Sequence, residues 1–145
     1  MKCVIQRVKE TSLFVDGKLI SEIPFGLAVY LGVKSGDEEA QAEKAAKKIA
    51  ALRIFSDERG KMNLSVKDVG AEILLISQFT LLGDCSHGNR PEFTSAERPE
   101  KAEALYESVA ERLRGYGLTV KTGVFGADME IRQLNDGPVT IIYEI

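Results

Sequence analysis

The sequence has no tryptophan, one histidine (His87), two cysteines (Cys3 and Cys85) and four prolines in 145 residues. The cysteines lie far apart and form no CxxC or other metal-ligand spacing, so with a single histidine no metal site is expected. Free buried or half-buried thiols are expected rather than a disulfide. A nucleophilic triad would have only His87 as its base, in the loop Asp84–Asn89, and no GxSxG elbow is present. A lone loop histidine is more often solvated or in contact with substrate. The glycines form neither GxGxxG nor a Walker A pattern, so no nucleotide cofactor, and no cofactor of any kind, is expected. Apolar runs such as Ile73–Ile76 are far too short to cross a bilayer, and the opening MKCVIQRVKE carries charges where a signal peptide needs an apolar block. A cytoplasmic protein without membrane contact follows. Positive charge is not in excess either: 19 Lys and Arg against 22 Asp and Glu leave a net charge of −3. That excludes a protein that coats nucleic acid by neutralising phosphates. No DNA partner is expected, and any RNA contact must be local.

What is present suits one compact domain, 1–145, with 44% hydrophobic and 28% charged residues. Lys2–Val8 reads as a strand, and Thr11–Val15, Asp16-Gly17 and Lys18–Ile23 as a hairpin with a two-residue turn. Gly26–Val33 is a nearly continuous apolar run that suits a strand buried on both faces. Asp37 is the expected N-cap of a helix whose apolar stripe is Ala42, Ala45, Ala46, Ile49 and Leu52. A second helix starts near Pro99, buries Ala102, Leu105, Tyr106, Val109 and Leu113, and ends at Gly115 or Gly117. Between them Ala71–Phe79 is apolar and turns polar at Ser77-Gln78. Leu118–Val124, Met129–Leu134 and Val139–Ile145 read as three further strands. The fold class is therefore α+β, a curled antiparallel-rich sheet or partial β-barrel with two covering helices.

Two polar segments are candidates for chemistry. In Ser77-Gln78-Phe79-Thr80 an apolar strand delivers two hydroxyls, an amide and an aromatic ring to its end, although Ser and Thr at strand ends commonly cap backbone groups instead. In Asn135-Asp136-Gly137-Pro138-Val139-Thr140 the composition is ordinary turn chemistry before a strand.

Together these segments resemble the two motifs of the D-aminoacyl-tRNA deacylase family. Further matches run through the chain in order: Val4–Val8, Leu52–Phe55, Gly60–Ser65, Arg90-Pro91 with Phe93, and Thr122-Gly123 through Phe125–Met129. One departure is His87, in a loop where the family usually carries a lysine. The resemblance implies a homodimer with its active sites at the interface and a cis bond at Gly137-Pro138. It implies that this pair reaches into the partner's pocket, where main-chain carbonyls hold the substrate's amino group and exclude an L side chain. Such a pocket contacts only what all amino acids share, so it accepts many D side chains, and glycine too. The implied partners are D-aminoacyl-tRNA and Gly-tRNA through the 3′ acceptor end. The implied catalytic residues are Ser77, Gln78, Phe79 and Thr80, and the substrate-binding ones Gly137, Pro138, Phe125 and Met129. Phe125 and Met129 match positions near the adenine; read alone, they are equally well core residues. No base stands beside Thr80 in either motif, so the resemblance favours water attack assisted by the 2′-hydroxyl of the terminal adenosine, with backbone donors near Phe79 and Thr80 receiving the oxyanion. A triad esterase using His87 and a non-catalytic RNA- or protein-binding module are the rival readings.

Overall fold

The structure is a computed structural model that describes all residues, Met1–Ile145. Its first strand, β1 (Lys2–Val15), is one continuous element where sequence patterning suggests two, and it organises the sheet. Asp16 and Gly17 take positive φ values of 50° and 73°, the conformation of a two-residue hairpin turn, and return the chain as β2 (Lys18–Ile23). After Pro24-Phe25 the chain continues as β3 (Gly26–Gly32), so β2 and β3 in succession line one edge of β1. The helix α1 (Glu39–Ala51) follows, then a short hairpin, β4 (Phe55–Ser56) and β5 (Met62–Leu64). Next come β6 (Glu72–Ser77), a 3-10 turn (Phe79–Leu82), α2 (Pro99–Gly115), β7 (Val120–Thr122) and β8 (Glu130–Glu144). The main sheet runs β2-β1-β3-β6-β7, with β8 along the other edge of β1. The β3–β6 and β6–β7 pairs are parallel and the others antiparallel.

The sheet curls until its ends nearly meet: the Ser21 hydroxyl donates to the Thr122 carbonyl (2.7 Å) and the Lys121 ammonium to the Glu22 carbonyl (2.6 Å). Alternation along the strands therefore feeds two cores. Val8, Leu13, Ile23, Ala28, Leu74 and Ile76 fill the inside of the curl. Leu27, Val29, Leu31, Ile73 and Leu75 face outward against α1 and α2, and burial of each such side chain stabilises the fold by about 1.5–3 kcal/mol. The near-continuous apolar runs of β3 and β6 reflect this burial on both faces. The α+β class with a curled, nearly closed sheet and two covering helices is thus the observed architecture. No helix is long and apolar enough to cross a membrane.

Three further local features differ from the sequence reading. The N-cap of α1 is Glu38, whose backbone N–H donates to Gln41 Oε1 (2.9 Å). Asp37 instead binds the Met1 ammonium (2.7 Å), a partner invisible in local sequence, and accepts from the Lys34 backbone N–H (2.7 Å). The stretch Leu118–Val124 forms strand only at Val120–Thr122. Finally, the two strands expected at Met129–Leu134 and Val139–Ile145 form one 15-residue strand, Glu130–Glu144, so Asn135–Pro138 is no hairpin turn. Gln6 faces Thr140 and Val8 faces Asn135, leaving Arg7 of β1 opposite Asp136, Gly137, Pro138 and Val139. The segment bulges from the sheet because β1 offers an uninterrupted partner on both sides of it.

Candidate active site

The parallel pair β3–β6 ends with Leu31 opposite Ser77, and the Gln78 N–H donates back to the Leu31 carbonyl (2.8 Å). A Cβ at Gly32 would sit 2.9 Å from the Gln78 carbonyl oxygen, so glycine lets the chain turn sharply here. It enters the 3-10 turn Phe79–Leu82, whose first N–H groups have no acceptor within the turn. Gln78 Nε2 donates to the Thr80 hydroxyl, fixing both side chains. Phe79 is 58% exposed and meets Phe93 edge-on, with ring centroids 5.1 Å apart.

These residues form one end of a cleft of about 350 Å3. Ser77, Gln78, Phe79 and Thr80 line it together with Phe125 and Met129, more than forty positions away. The far wall is the loop between β7 and β8. The Gly123 N–H and the Tyr106 hydroxyl both donate to the Leu75 carbonyl (3.1 and 2.7 Å), which ties this loop and α2 to β6. Gly126, at φ 74°, turns the loop, and Phe125 packs on the Tyr106 ring at 6.0 Å. A Cβ at Gly123 would fall 2.6 Å from Met129 Sδ, so this glycine makes the space in which Met129 lies. Burial, above all, pushes the Tyr106 phenol well above its ordinary value, so it is a neutral donor and a prop. Glu97 also lines the cleft; its carboxyl is held below the usual range first by the Arg98 N–H, then by the Gly36 N–H and by Lys101.

Gly137 and Pro138 are exposed and lie outside this cleft, on the β8 bulge; their peptide bond is cis. Arg7 pins the bulge. Its Nε–H donates to the Asp136 carbonyl (3.1 Å), Nε lies 2.8 Å from Asp136 Oδ2 in an ion pair, and Nη1 donates to the Ile54 carbonyl (2.6 Å). A Cβ at Gly137 would sit 2.2 Å from the Val139 nitrogen. His87 is exposed and does not line the cleft, and the Thr80 hydroxyl is paired with Gln78, so no histidine–hydroxyl pair is assembled. Cys3 is buried and Cys85 exposed, both as free thiols. Sequence reasoning took Tyr106 as a helix-face core residue and missed that its ring backs the cleft. It gave Glu97 no role; only its position just before a helix that opens with proline distinguishes it.

The cleft is thus apolar-walled, with hydroxyls, an amide and backbone donors gathered at one end. Residues 4–144 match the family model described as D-Tyr-tRNA(Tyr) deacylase. The chain belongs to that family and is a hydrolase. It is 54% identical to the D-aminoacyl-tRNA deacylase of Brevibacillus brevis and 52% identical to that of Bacillus cytotoxicus, in each case over 99% of both chains. A solved structure titled c-Myc DNA Unwinding Element Binding Protein superposes with a TM-score of 0.92 at 45% identity, covering 100% of this chain and 99% of the other. A probable eukaryotic D-amino acid tRNA deacylase shares the fold at 18% identity, with a TM-score of 0.84 over 99% and 98% of the two chains.

Proposed function

We propose that the protein, acting as one domain over 1–145, hydrolyses the ester of D-aminoacyl-tRNA and of mischarged Gly-tRNA in the cytoplasm, as a homodimer whose two active sites lie at the interface. The observation that carries this reading is the convergence of the Ser77–Thr80 turn with Phe125 and Met129 in one cleft, in a chain that matches deacylases along its whole length. The terminal adenine lies against Phe125 and Met129, since apolar and aromatic side chains hold unstacked bases. The ester then falls at the turn, where the Phe79 and Thr80 N–H groups receive the developing oxyanion.

Gly137 and Pro138 complete the site from the second copy, which accounts for an exposed bulge pinned by an arginine on the sheet edge. Their carbonyls hold the substrate ammonium, and the backbone standing there leaves no room for an L side chain. Closed two-fold pairing supplies such a partner most simply. The Thr80 hydroxyl is hydrogen-bonded to the Gln78 amide and to no basic side chain, so water attacks with help from the adenosine 2′-hydroxyl, and Ser77, Gln78 and Thr80 position the ester. The test is release of D-tyrosine from D-Tyr-tRNA, with Gly-tRNA and L-Tyr-tRNA alongside. Turnover of the first two and sparing of the third is expected. Absence of turnover on D-Tyr-tRNA would favour a binding module, and loss of activity in His87→Ala would favour a triad esterase.

A further inference from the structure

The proposed reaction uses none of the cations at the end of α1. Lys44, Lys47, Lys48 and Arg53 surround a shallow groove of about 430 Å3 with Tyr143 of β8 on its wall. All four side chains belong to exposed residues and none makes a salt bridge; other surface cations such as Lys9, Lys18 and Arg59 are also unbridged, and what distinguishes these four is that they line one groove together. Lys48 Nζ stands 5.5 Å from the centroid of the Tyr143 ring, and Arg53 donates only to Asn63. Cations in the last turn of a helix stabilise its dipole, which accounts for Lys48. It does not account for Lys44, a turn earlier, or for Arg53, beyond the helix. Arg53 also lies near enough to Asp68 to help the Ser65 N–H hold its carboxyl below the usual range, so the three lysines are the cations without an acidic neighbour in a salt bridge. Four cations lining one groove of a chain with net charge −3 give it a local positive field suited to an anion.

The groove has a fixed relation to the β8 bulge. Arg53 adjoins Ile54, whose carbonyl receives Arg7, and Arg7 also holds Asp136 beside Gly137-Pro138. Tyr143 lies five residues beyond Pro138 on the same strand, about 17 Å at the rise of a β-strand. Four stacked nucleotides of the single-stranded 3′ end span about 14 Å at roughly 3.4 Å each.

We infer that this groove receives the phosphate backbone of the acceptor stem of the tRNA whose 3′ end lies in the partner's cleft. The inference rests on the dimeric reading above, in which the bulge of one copy enters the cleft of the other. Each subunit then supplies a selectivity bulge and, some four nucleotides away, a clamp for the same tRNA.

The test compares Lys47→Ala/Lys48→Ala with a charge-matched control, Lys18→Ala/Lys67→Ala, both folded by circular dichroism. Binding of uncharged tRNA is measured across a salt series, and deacylation is measured on D-Tyr-tRNA and on D-tyrosyl-adenosine. Loss of two phosphate contacts lowers the slope of log K against log salt by about 2 and raises KM for D-Tyr-tRNA about tenfold. Turnover of D-tyrosyl-adenosine is expected to stay at the wild-type rate, and the control to behave as wild type throughout. Wild-type salt slope and KM in the groove variant, with D-Tyr-tRNA hydrolysed normally, overturn the groove and leave the deacylase reading standing. Equal competition by a DNA hairpin of the same stem sequence overturns the assignment to an RNA stem. Failure of the wild type on both D substrates overturns the two together.

Discussion

Replacing Arg7 with lysine keeps the positive charge and removes the fork that joins the β8 bulge to the segment after α1. Arg7 bridges two chain segments through bonds of 2.6 Å to Ile54 and 3.1 Å to the Asp136 carbonyl, and its side chain is 12% exposed. A lysine ammonium on a straight stem serves one segment at a time. At least one charge-assisted bond is then lost, about 1.5–3 kcal/mol. The ion pair with Asp136, whose side chain is 30% exposed, adds well under 1 kcal/mol because solvent screens it. A net loss of about 2 kcal/mol lowers Tm by about 4–8 °C in a chain of this size. If the same energy holds Gly137-Pro138 in its working position, kcat/KM on D-Tyr-tRNA falls by up to about thirtyfold, since each 1.4 kcal/mol is tenfold. Arg7→Ala is expected to be worse on both counts, so that lysine gives partial rescue. Differential scanning calorimetry and single-turnover deacylation read the two effects separately. A Tm within 1 °C and kcat/KM within twofold of wild type would refute the pinning role.

Gly123→Ala places a Cβ 2.6 Å from Met129 Sδ and 3.0 Å from Leu13 Cδ1, so KM for D-Tyr-tRNA is expected to rise several-fold while the fold is retained at a cost of about 1–2 kcal/mol; unchanged KM would remove Met129 from the proposed adenosine site. Thr80→Ala retains substantial activity and a substrate ending in 2′-deoxyadenosine is cleaved poorly, whereas a dead variant with an unaffected deoxy substrate would make Thr80 the nucleophile. Burial pushes the Cys3 thiol up to about 12, so in native protein a disulfide reagent titrates Cys85 quickly and Cys3 only after denaturation; two fast thiols would contradict the buried β1 core.

The helices were legible because alanine and leucine recur at helical spacing and Pro99 and Gly117 punctuate α2, the latter at φ 81°. The hairpin was legible in Asp16-Gly17, where both residues do take positive φ. The single long β8 was not: Gly and Pro speak locally for a turn, and only the pairing of β1 on both sides of Arg7 turns that segment into a bulge. The short β4–β5 hairpin passed unnoticed because two- and three-residue strands carry no periodicity. Of the candidate site, Ser77–Thr80, Phe125 and Met129 do converge, and the apolar strand ending in polar residues was the signal for the first group. Gly137 and Pro138 remain apart from them in one chain. The second copy proposed to bring them together is carried by no pattern within a single sequence other than its resemblance to a family.

The claim that cleft and bulge come from different copies is tested most directly by complementation. Phe125→Glu places a charge in the apolar wall of the cleft, and Gly137→Ala forces a Cβ to within 2.2 Å of the Val139 nitrogen and so displaces the bulge. Each variant alone is expected to be nearly inactive on D-Tyr-tRNA. After unfolding and refolding together, about half the dimers are mixed and each of these holds one intact site, so about a quarter of wild-type activity returns. Mixtures as inactive as the separate variants, with mixed dimers demonstrated by mass spectrometry, would place the whole site within one chain and contradict the account.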